Sequence, residues 1–259
     1  MDYDTITLAT DDTGIALLTL NRPDKMNAMN GRMRAEMLDA VRAAGRDARV
    51  LVMTGEGRAF CTGQDLGDSD DASKADLERT LRDEYQPLLE AIADCPVPTI
   101  AAVNGPAAGA GANIALAADV VIATESAYFL QAFTRIGLIP DAGGTWILPR
   151  TMGLAKAMGA ALFADKITAR QAEAWGMIWE AVADDDFAAH WRKRAEHLAK
   201  GPTLAYQAVK EAIRGSFEAP LGDQLATEAR LQGKCGKSRD FQEGVMAFIE
   251  KRPAEFEGR

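Results

Sequence analysis

Residues 99–116 read TIAAVNGPAAGAGANIAL, an apolar run that passes through a turn of small residues into a helix. The run 99–103 predicts a buried strand, and the helix is expected to begin near Asn113. Glycine and alanine allow a ligand to approach the main chain, and the first N–H groups of a helix have no internal partner. The turn 104–111 could therefore stabilise negative charge, or it could be a tight turn chosen only for packing.

Two familiar uses of a glycine-rich turn do not fit residues 104–111. No Gly-Lys-Ser/Thr sequence follows the turn, so it is not a phosphate-binding loop. No acidic residue is placed to hold a ribose, so the dinucleotide-binding pattern also fails.

A second turn of small residues lies upstream, at residues 57–65, with the sequence GRAFCTGQD. It follows the apolar run 49–54, which predicts another buried strand. Two turns that each end a strand suggest a pair of main-chain donors, as in an oxyanion hole. Sequence spacing alone cannot show that the two turns converge.

Strand and helix patterns alternate through the first part of the chain, which predicts an α/β layered domain. Met29, Met33, Met37 and Val41 recur every four residues and predict the buried face of a helix over 28–44. The acidic segment 65–74 predicts a mobile loop. The other predicted elements are strands at 5–9, 15–20, 119–124 and 127–130 and a helix at 75–93.

The chain turns to purely helical periodicity from about residue 186, with breaks near Gly201 and Gly236. We therefore divide it into a core at 1–194, which would carry the functional site, and a helical region at 195–259. The apolar residues Leu221, Leu225 and Leu231 could form a subunit interface, or they could pack on the core.

Composition excludes several classes of function. The formal net charge of -9 argues against nucleic-acid binding, and no run of residues is long and apolar enough for a membrane span. The N-terminus has no signal-peptide pattern, so we expect a cytoplasmic protein. Three widely spaced cysteines predict neither disulfides nor a metal site, and two histidines in a charged stretch give little support to Ser-His or Cys-His catalysis.

Several short motifs follow one another along the chain. They are Asn21-Arg22-Pro23 with Asn27-Ala28, residues 57–65, residues 104–111, Gly137-Leu138-Ile139-Pro140 with Gly143-Gly144, residues 172–176 and residues 241–259. In this order they resemble the enoyl-CoA hydratase/isomerase (crotonase) superfamily over essentially the full length. No single motif would be specific, but the ordered set is.

This resemblance implies an α/β fold built as a spiral of strand-strand-helix units, with C-terminal helices that help to form a trimer or a dimer of trimers. It implies an acyl-CoA substrate and no cofactor, since CoA is part of the substrate. The oxyanion-hole donors would be the backbone N–H groups of Gln64 and Ala110. Substrate contacts would map to Lys25, Ala28, Ala59, Gly63, Asp65, Leu66, Gly109 and Phe133.

The chain departs from the hydratases of this family at the catalytic carboxylates. The two glutamates that hold water in those enzymes match Asn113 and Phe133 here, and neither is acidic. Asp141 stands instead where hydratases usually have a small residue, as in some isomerases and dehalogenases of the family. The string from Gln131 to Trp146 most resembles isomerases that act on a ring epoxide of phenylacetyl-CoA.

Asp141 has two interpretations that do not exclude each other. It could cap a helix beginning near Ala142, or it could carry a proton between two carbons of an enoyl thioester. Asn113 could hydrogen-bond Asp141, water or substrate, or could serve only in the first turn of its helix. Phe133 would line an apolar pocket, and Lys25 could contact CoA phosphates or be a solvated surface residue.

We therefore expect an acyl-CoA isomerase that uses the single carboxylate of Asp141, with Asn113 beside it. Enoyl-CoA hydratase is the first alternative, although it would need an acid/base group that the sequence does not reveal. A non-catalytic acyl-CoA-binding protein is the second alternative.

Overall fold

The structure is a computed structural model that describes residues 2–67 and 76–258 of the 259-residue chain. The predicted mobile loop at 65–74 lies outside the described residues from position 68 onward. The predicted α/β class is confirmed, and strand-strand-helix units recur along the chain.

A six-stranded sheet in the order β1-β2-β3-β4-β6-β9 forms the centre of the molecule. The first two strands are antiparallel and form a hairpin, while the other neighbours are parallel. Every residue of β4 is buried, as its continuous apolar sequence predicts. The strands are β1 (Ile6–Thr10), β2 (Ile15–Leu20), β3 (Val50–Gly55), β4 (Thr99–Val103), β6 (Val120–Thr124) and β9 (Glu180–Val182).

The first helix, α1 (Gly31–Asp47), covers the sheet with the predicted methionine stripe. It begins three residues later than predicted, because Asn30 is its N-cap and accepts a hydrogen bond from Met33 N at 2.9 Å. Just before it, Met26 and Asn27 have positive φ angles, which no helix interior allows. Met29, Met33 and Met37 are fully buried, and Val41 is 1% exposed.

The predicted helix at 75–93 consists of three joined pieces. They are α2 (Leu77–Thr80), a π-helical turn (Leu81–Tyr85) and α3 (Gln86–Ala93). π-Helical turns occur often at functional sites, because the extra residue shifts the side chains that follow. Here the turn ends at Tyr85, which is almost completely buried.

A smaller, three-stranded sheet in the order β5-β7-β8 lies beyond the carboxyl end of β4. Its strands are β5 (Ala107–Ala108), β7 (Tyr128–Leu130) and β8 (Ile167–Thr168). The helices that leave this region are α4 (Ala110–Leu116), α5 (Gly144–Phe163) and α6 (Ala169–Ala174). The long helix α5 is broken at Gly153, where φ is +76°.

Four helices complete the chain: α7 (Asp184–Ala199), α8 (Thr203–Gly215), α9 (Leu221–Cys235) and α10 (Arg239–Glu250). The predicted boundary between residues 194 and 195 falls inside α7, which packs on the large sheet through Phe187, Ala195 and Ala199. The nearest break between helices is at residues 201–202. Among residues 2–67 and 76–258, no helix combines the length and apolar character that crossing a bilayer requires.

Asp119 joins the C-terminal helices to the sheet. Its carboxylate accepts hydrogen bonds from the backbone and hydroxyl of Thr99, at 2.8 and 3.0 Å. The same carboxylate pairs with Lys210 Nζ at 2.7 Å and with an Arg214 guanidinium nitrogen at 2.9 Å. Because these side chains are mostly shielded from water, loss of the carboxylate would leave several donors without a partner.

We expect Asp119→Ala to lower the free energy of unfolding by roughly 3 kcal/mol, the lower end of the range for removing one partner of a buried ion pair. Amide hydrogen exchange should also rise in α8, which Lys210 and Arg214 anchor. Urea unfolding measures the first effect, and Asp185→Ala, at an exposed position in α7, is the control. A wild-type unfolding free energy for Asp119→Ala would contradict the proposed anchor.

Candidate active site

The peptide group between Gly63 and Gln64 has a defined orientation. Its carbonyl oxygen accepts a hydrogen bond from Met29 N at 2.7 Å. The N–H and C=O of a trans peptide point in opposite directions, so the Gln64 N–H points away from Met29. Among the described residues, no group accepts a hydrogen bond from the Gln64 N–H.

The peptide group between Gly109 and Ala110 is held in the same manner. Its carbonyl oxygen accepts from Ala112 N at 3.1 Å and Asn113 N at 3.3 Å, because α4 starts at Ala110. The Ala110 N–H consequently points out of the N-terminus of the helix, where the helix dipole favours negative charge. The helix begins three residues earlier than predicted, so Asn113 lies at its fourth position.

These two peptide groups lie next to each other. Gly63 has a φ of +95°, and a side-chain Cβ at this position would lie 2.9 Å from Ala108 O and 3.4 Å from Ala110 N. Cys61 O accepts a hydrogen bond from Ala108 N at 2.9 Å, which joins the two turns. The structure therefore brings Gln64 and Ala110 together, in an arrangement that suits a two-donor oxyanion hole.

Asp141 faces a cleft of about 700 Å³ with largely apolar walls. Leu77, Leu81 and Tyr85 contribute to one wall, and Trp146 to another. The carboxylate atom Oδ1 is buried and has no hydrogen-bond partner among the described residues. Burial raises the pKa of Asp141 to about 6, with a smaller opposing effect from its own backbone N–H.

The interpretation of Asp141 as a helix cap is wrong. Helix α5 begins at Gly144 rather than near Ala142, its N-cap is Gly143, and no side chain caps it. Only the Asp141 main chain takes part, since its carbonyl oxygen accepts from Gly144 N at 2.8 Å. Ala142 and Gly143 both have positive φ angles, at 47° and 80°, so the chain turns sharply between Asp141 and the start of α5.

Asn113 supports the turn that carries Asp141. Its side chain is fully buried, and Nδ2 donates to the Asp141 carbonyl oxygen at 2.8 Å. Asn113 Oδ1 accepts from Gln131 Nε2 at 2.9 Å. A Cβ on Gly144 would lie 2.4 Å from Asn113 Nδ2, so only glycine fits there. Asn113 lies about one helical turn after Ala110 in α4. Its hydrogen bond to Asp141 therefore links the Asp141 turn to the helix that begins with the Ala110 N–H.

The remaining predicted substrate contacts lie at different depths. Phe133 is buried, and a Cβ on Gly109 would lie 3.9 Å from its ring. Ala28 and Ala59 are buried, and each uses its carbonyl oxygen to accept a hydrogen bond from a neighbouring side chain. Leu66 and Lys25 are exposed.

Asp65 has a structural partner that the sequence did not reveal. Its carboxylate forms an ion pair with Arg22 at 2.9 Å, and Arg22 also donates to Ala28 O at 2.5 Å. Arg22 thus ties residues 28 and 65 on either side of the Gly63–Gln64 turn. These contacts occupy the Arg22 guanidinium, whereas Lys25 forms part of the exposed surface.

Three further residues at the site were missed: Arg34, Glu84 and Tyr85. Arg34 is buried, donates to Gln64 Oε1 at 2.8 Å and pairs with Glu84 at 2.6 Å. Arg34 follows Met33 in the apolar stripe of α1, which is an unusual position for a charge. That signal could have identified a buried arginine, but nothing local identifies a partner 50 residues away.

The chain is similar to known proteins over nearly its whole length. The sequence pattern of the family described as enoyl-CoA hydratase/isomerase matches residues 10–259. A Rhodobacter capsulatus protein named "Probable enoyl-CoA hydratase" is 60% identical over 259 residues, all of both chains. The Escherichia coli 1,2-epoxyphenylacetyl-CoA isomerase is 45% identical over 253 residues, which cover 96% of this chain and 97% of that protein.

A solved structure from Mycobacterium abscessus, provisionally named an enoyl-CoA hydratase/isomerase, has the same fold. Its TM-score is 0.93 at 40% sequence identity, with 98% of this chain and 100% of that chain covered. The crotonase-like spiral expected from the sequence motifs is thereby confirmed.

The raised pKa of Asp141 makes stability depend on pH. The native state binds this proton more tightly than the unfolded chain does, because burial raises the pKa from 3.8 to about 6. The stability contributed by this group is complete below pH 3.8 and is lost as pH rises through 6. Asp141→Asn removes this titration. Between pH 5.0 and pH 7.5, the free energy of unfolding of the variant should therefore rise by about 1.4 kcal/mol relative to that of the wild type.

Urea unfolding of both proteins at the two pH values measures this difference. Asp185→Asn, at an exposed site, should show the pH dependence of the wild type. If the free energies of unfolding of Asp141→Asn and wild type differ by the same amount at both pH values, burial does not raise the pKa of the Asp141 carboxyl.

Proposed function

Because the chain belongs to the enoyl-CoA hydratase/isomerase family, we propose that it is an acyl-CoA isomerase that uses one aspartate, Asp141. Its substrate would be an enoyl-CoA or a ring epoxide of phenylacetyl-CoA. The thioester oxygen would accept hydrogen bonds from the backbone N–H groups of Gln64 and Ala110. No cofactor takes part beyond the CoA carried by the substrate.

One observation carries the proposal: Asp141 lies on the wall of an apolar cleft, and its carboxylate oxygen Oδ1 is buried without a hydrogen-bond partner among the described residues. Glu90 also borders this cleft, but it is exposed and its Oε1 accepts from Gln86 at 2.8 Å. A buried carboxyl with a pKa of about 6 is ionised at neutral pH and can still return a proton. An unpaired carboxylate in an apolar setting is costly, which favours a functional reason for it.

In the proposed double-bond shift, Asp141 removes a proton from the carbon between the thioester carbonyl and the double bond of a 3-enoyl-CoA. The electron pair of that C–H bond moves onto the carbonyl and gives an enolate, whose oxygen lies between the Gln64 and Ala110 amides. The enolate then collapses, the double bond moves next to the carbonyl, and the protonated Asp141 returns its proton two carbons further along. No proton is gained or lost overall.

Hydration makes a different demand on the same site. Water must be held and deprotonated while a second group delivers a proton. Asn113 is engaged with Asp141 O and the Gln131 side chain, and Phe133 has no acid/base group. The R. capsulatus relative named as a hydratase nevertheless keeps enoyl-CoA hydration as the second candidate activity.

The ring-epoxide substrate is proposed from the E. coli isomerase, at 45% identity. An epoxide also suits a single carboxyl group, since it isomerises without added water. The apolar walls of the cleft, which include Leu81 and Trp146, would accept either an aliphatic chain or a ring.

We expect Asp141→Asn to lower kcat for a 3-enoyl-CoA by roughly 10²–10⁴-fold, the range for loss of a general base. Affinity for acyl-CoA should persist, because the backbone donors are intact. Formation of the conjugated product is followed by its ultraviolet absorbance. Glu90→Gln, which removes the exposed carboxylate at the cleft, is the matched control and should keep wild-type activity.

The pH profile provides a second readout of the same prediction. In the wild type, kcat/KM should fall about tenfold per pH unit below a pKa near 6, as Asp141 becomes protonated. Rapid hydration of a 2-enoyl-CoA without isomerisation would favour the hydratase alternative. Binding of acyl-CoA without turnover of enoyl or epoxide substrates would favour the non-catalytic one.

We further propose that the protein is a homotrimer or a dimer of trimers. Large apolar side chains are exposed on α5 and on the C-terminal helices, among them Leu154, Phe163, Phe248 and Ile249, each at least 66% exposed. Such an apolar surface is unusual for a monomer. Sedimentation equilibrium at micromolar concentration should give three or six times the chain mass, and the mass of one chain would contradict the proposal.

A further inference from the structure

The side chain of Gln64 has contacts that its main-chain role does not require. Its amide oxygen Oε1 accepts two hydrogen bonds, from Arg34 Nη1 at 2.8 Å and from Tyr85 Oη at 2.7 Å. The donors come from α1 and from the π-helical turn, elements that lie 30 and 21 residues away from Gln64 in the chain. Hydrogen bonds therefore hold Gln64 in two ways. The Gly63 carbonyl oxygen fixes its backbone, and Arg34 and Tyr85 fix its side chain.

Arg34 also holds the strand-like segment beside Gln64. Its Nη1 donates to Met29 O at 3.0 Å, and Met29 N is the donor that orients the Gly63 carbonyl oxygen. The Nε and Nη2 atoms of Arg34 contact Glu84 at 2.9 and 2.6 Å. With its charge paired and its side chain 5% exposed, Arg34 is a rigid support rather than a surface cation.

Tyr85 faces both parts of the site. Its ring lines the cleft together with Asp141, and its hydroxyl binds the Gln64 side chain. Arg34 lies over the ring at 4.9 Å from its centre, which restricts ring movement. Burial raises the pKa of the Tyr85 phenol, against a smaller lowering by the Arg34 charge, so Tyr85 remains a protonated donor.

We infer that Tyr85 and Arg34 are positioning residues, which hold the backbone N–H of Gln64 in the direction that stabilises the enolate oxygen. This inference rests on the proposed oxyanion role of Gln64. Neither residue is expected to touch the thioester oxygen itself. Their effect would come from preorganisation, since a donor must already point at the developing charge when the reaction occurs.

The test compares Tyr85→Phe, Gln64→Met and the double variant. Tyr85→Phe keeps the ring but removes the donor, and Gln64→Met keeps the backbone N–H but removes the acceptor. Each should lower kcat for a 3-enoyl-CoA by roughly 5–30-fold, less than the 10²–10³-fold loss of an entire oxyanion donor. KM should change less than about twofold, because ground-state contacts are retained.

The double variant shows whether the two residues act through one bond. Because both changes break the same hydrogen bond, kcat of the double variant should be within about twofold of the slower single variant. If the fold-loss in kcat of the double variant equals the product of the two single losses, the residues act independently. That result would overturn the inference. Tyr128→Phe, at a partly exposed tyrosine in β7, is the matched control and should have wild-type kinetics.

A spectroscopic measurement separates this inference from the proposed isomerase activity. The infrared carbonyl stretch of bound butyryl-CoA, which cannot isomerise, reports the strength of the oxyanion hydrogen bonds. In the wild type this stretch should be lower than in free butyryl-CoA, and Tyr85→Phe should lose part of that lowering. The pKa seen in the kcat/KM profile should stay near 6 in Tyr85→Phe, because Asp141 is unchanged.

The possible outcomes point to different failures. A wild-type carbonyl stretch equal to that of free butyryl-CoA would overturn the oxyanion assignment itself. A lowered stretch that is identical in wild type, Tyr85→Phe and Gln64→Met would overturn only the positioning role. A lowered stretch without turnover of any enoyl or epoxide substrate would overturn the isomerase proposal, while this inference would still be judged by the infrared shift.

Discussion

The approach of two main-chain turns, at Gly63 and at Gly109–Ala110, is the constraint on which the candidate site depends. A single Cβ at residue 63 would meet Ala108 O at 2.9 Å, too close for any real side chain. Because the main chains can touch, two peptide N–H groups come to one place without any side chain between them. The carbonyl oxygens of the same two peptides accept hydrogen bonds from Met29 N and from the first turn of α4. These bonds determine where the two N–H groups point.

The second feature of the candidate site is the Asp141 carboxylate. Among the described residues, Asp141 Oδ1 has no hydrogen-bond partner, and no side chain caps α5. Asn113 and Gly144 stabilise the turn through the main chain alone. The fold thus tolerates a costly buried carboxyl group, and the reaction we propose would use its raised pKa.

Two buried or half-buried arginines surround the Gln64 turn in complementary ways. Arg22 joins Ala28 to Asp65, and Arg34 joins Met29 to the Gln64 side chain. Both link the segment before α1 to the segment after β3. Because the charge of each arginine is already paired within the protein, neither arginine is free to bind an anionic substrate.

The sequence by itself determined the local features: the buried strands, the methionine face of α1, the two small-residue turns and the absence of glutamate at positions 113 and 133. These depend on periodicity and residue type within a few positions, and the structure agrees with them to within about three residues. The start of α4 and the conformation of residues 141–144 were missed, because positive φ angles at Ala142 and at helix ends follow from packing rather than from local preference. Only the tertiary structure decided that the turns converge, that Asp141 is unpaired and that Arg34, Glu84 and Tyr85 meet at Gln64, since these contacts join residues 20 to 50 positions apart that no local pattern connects.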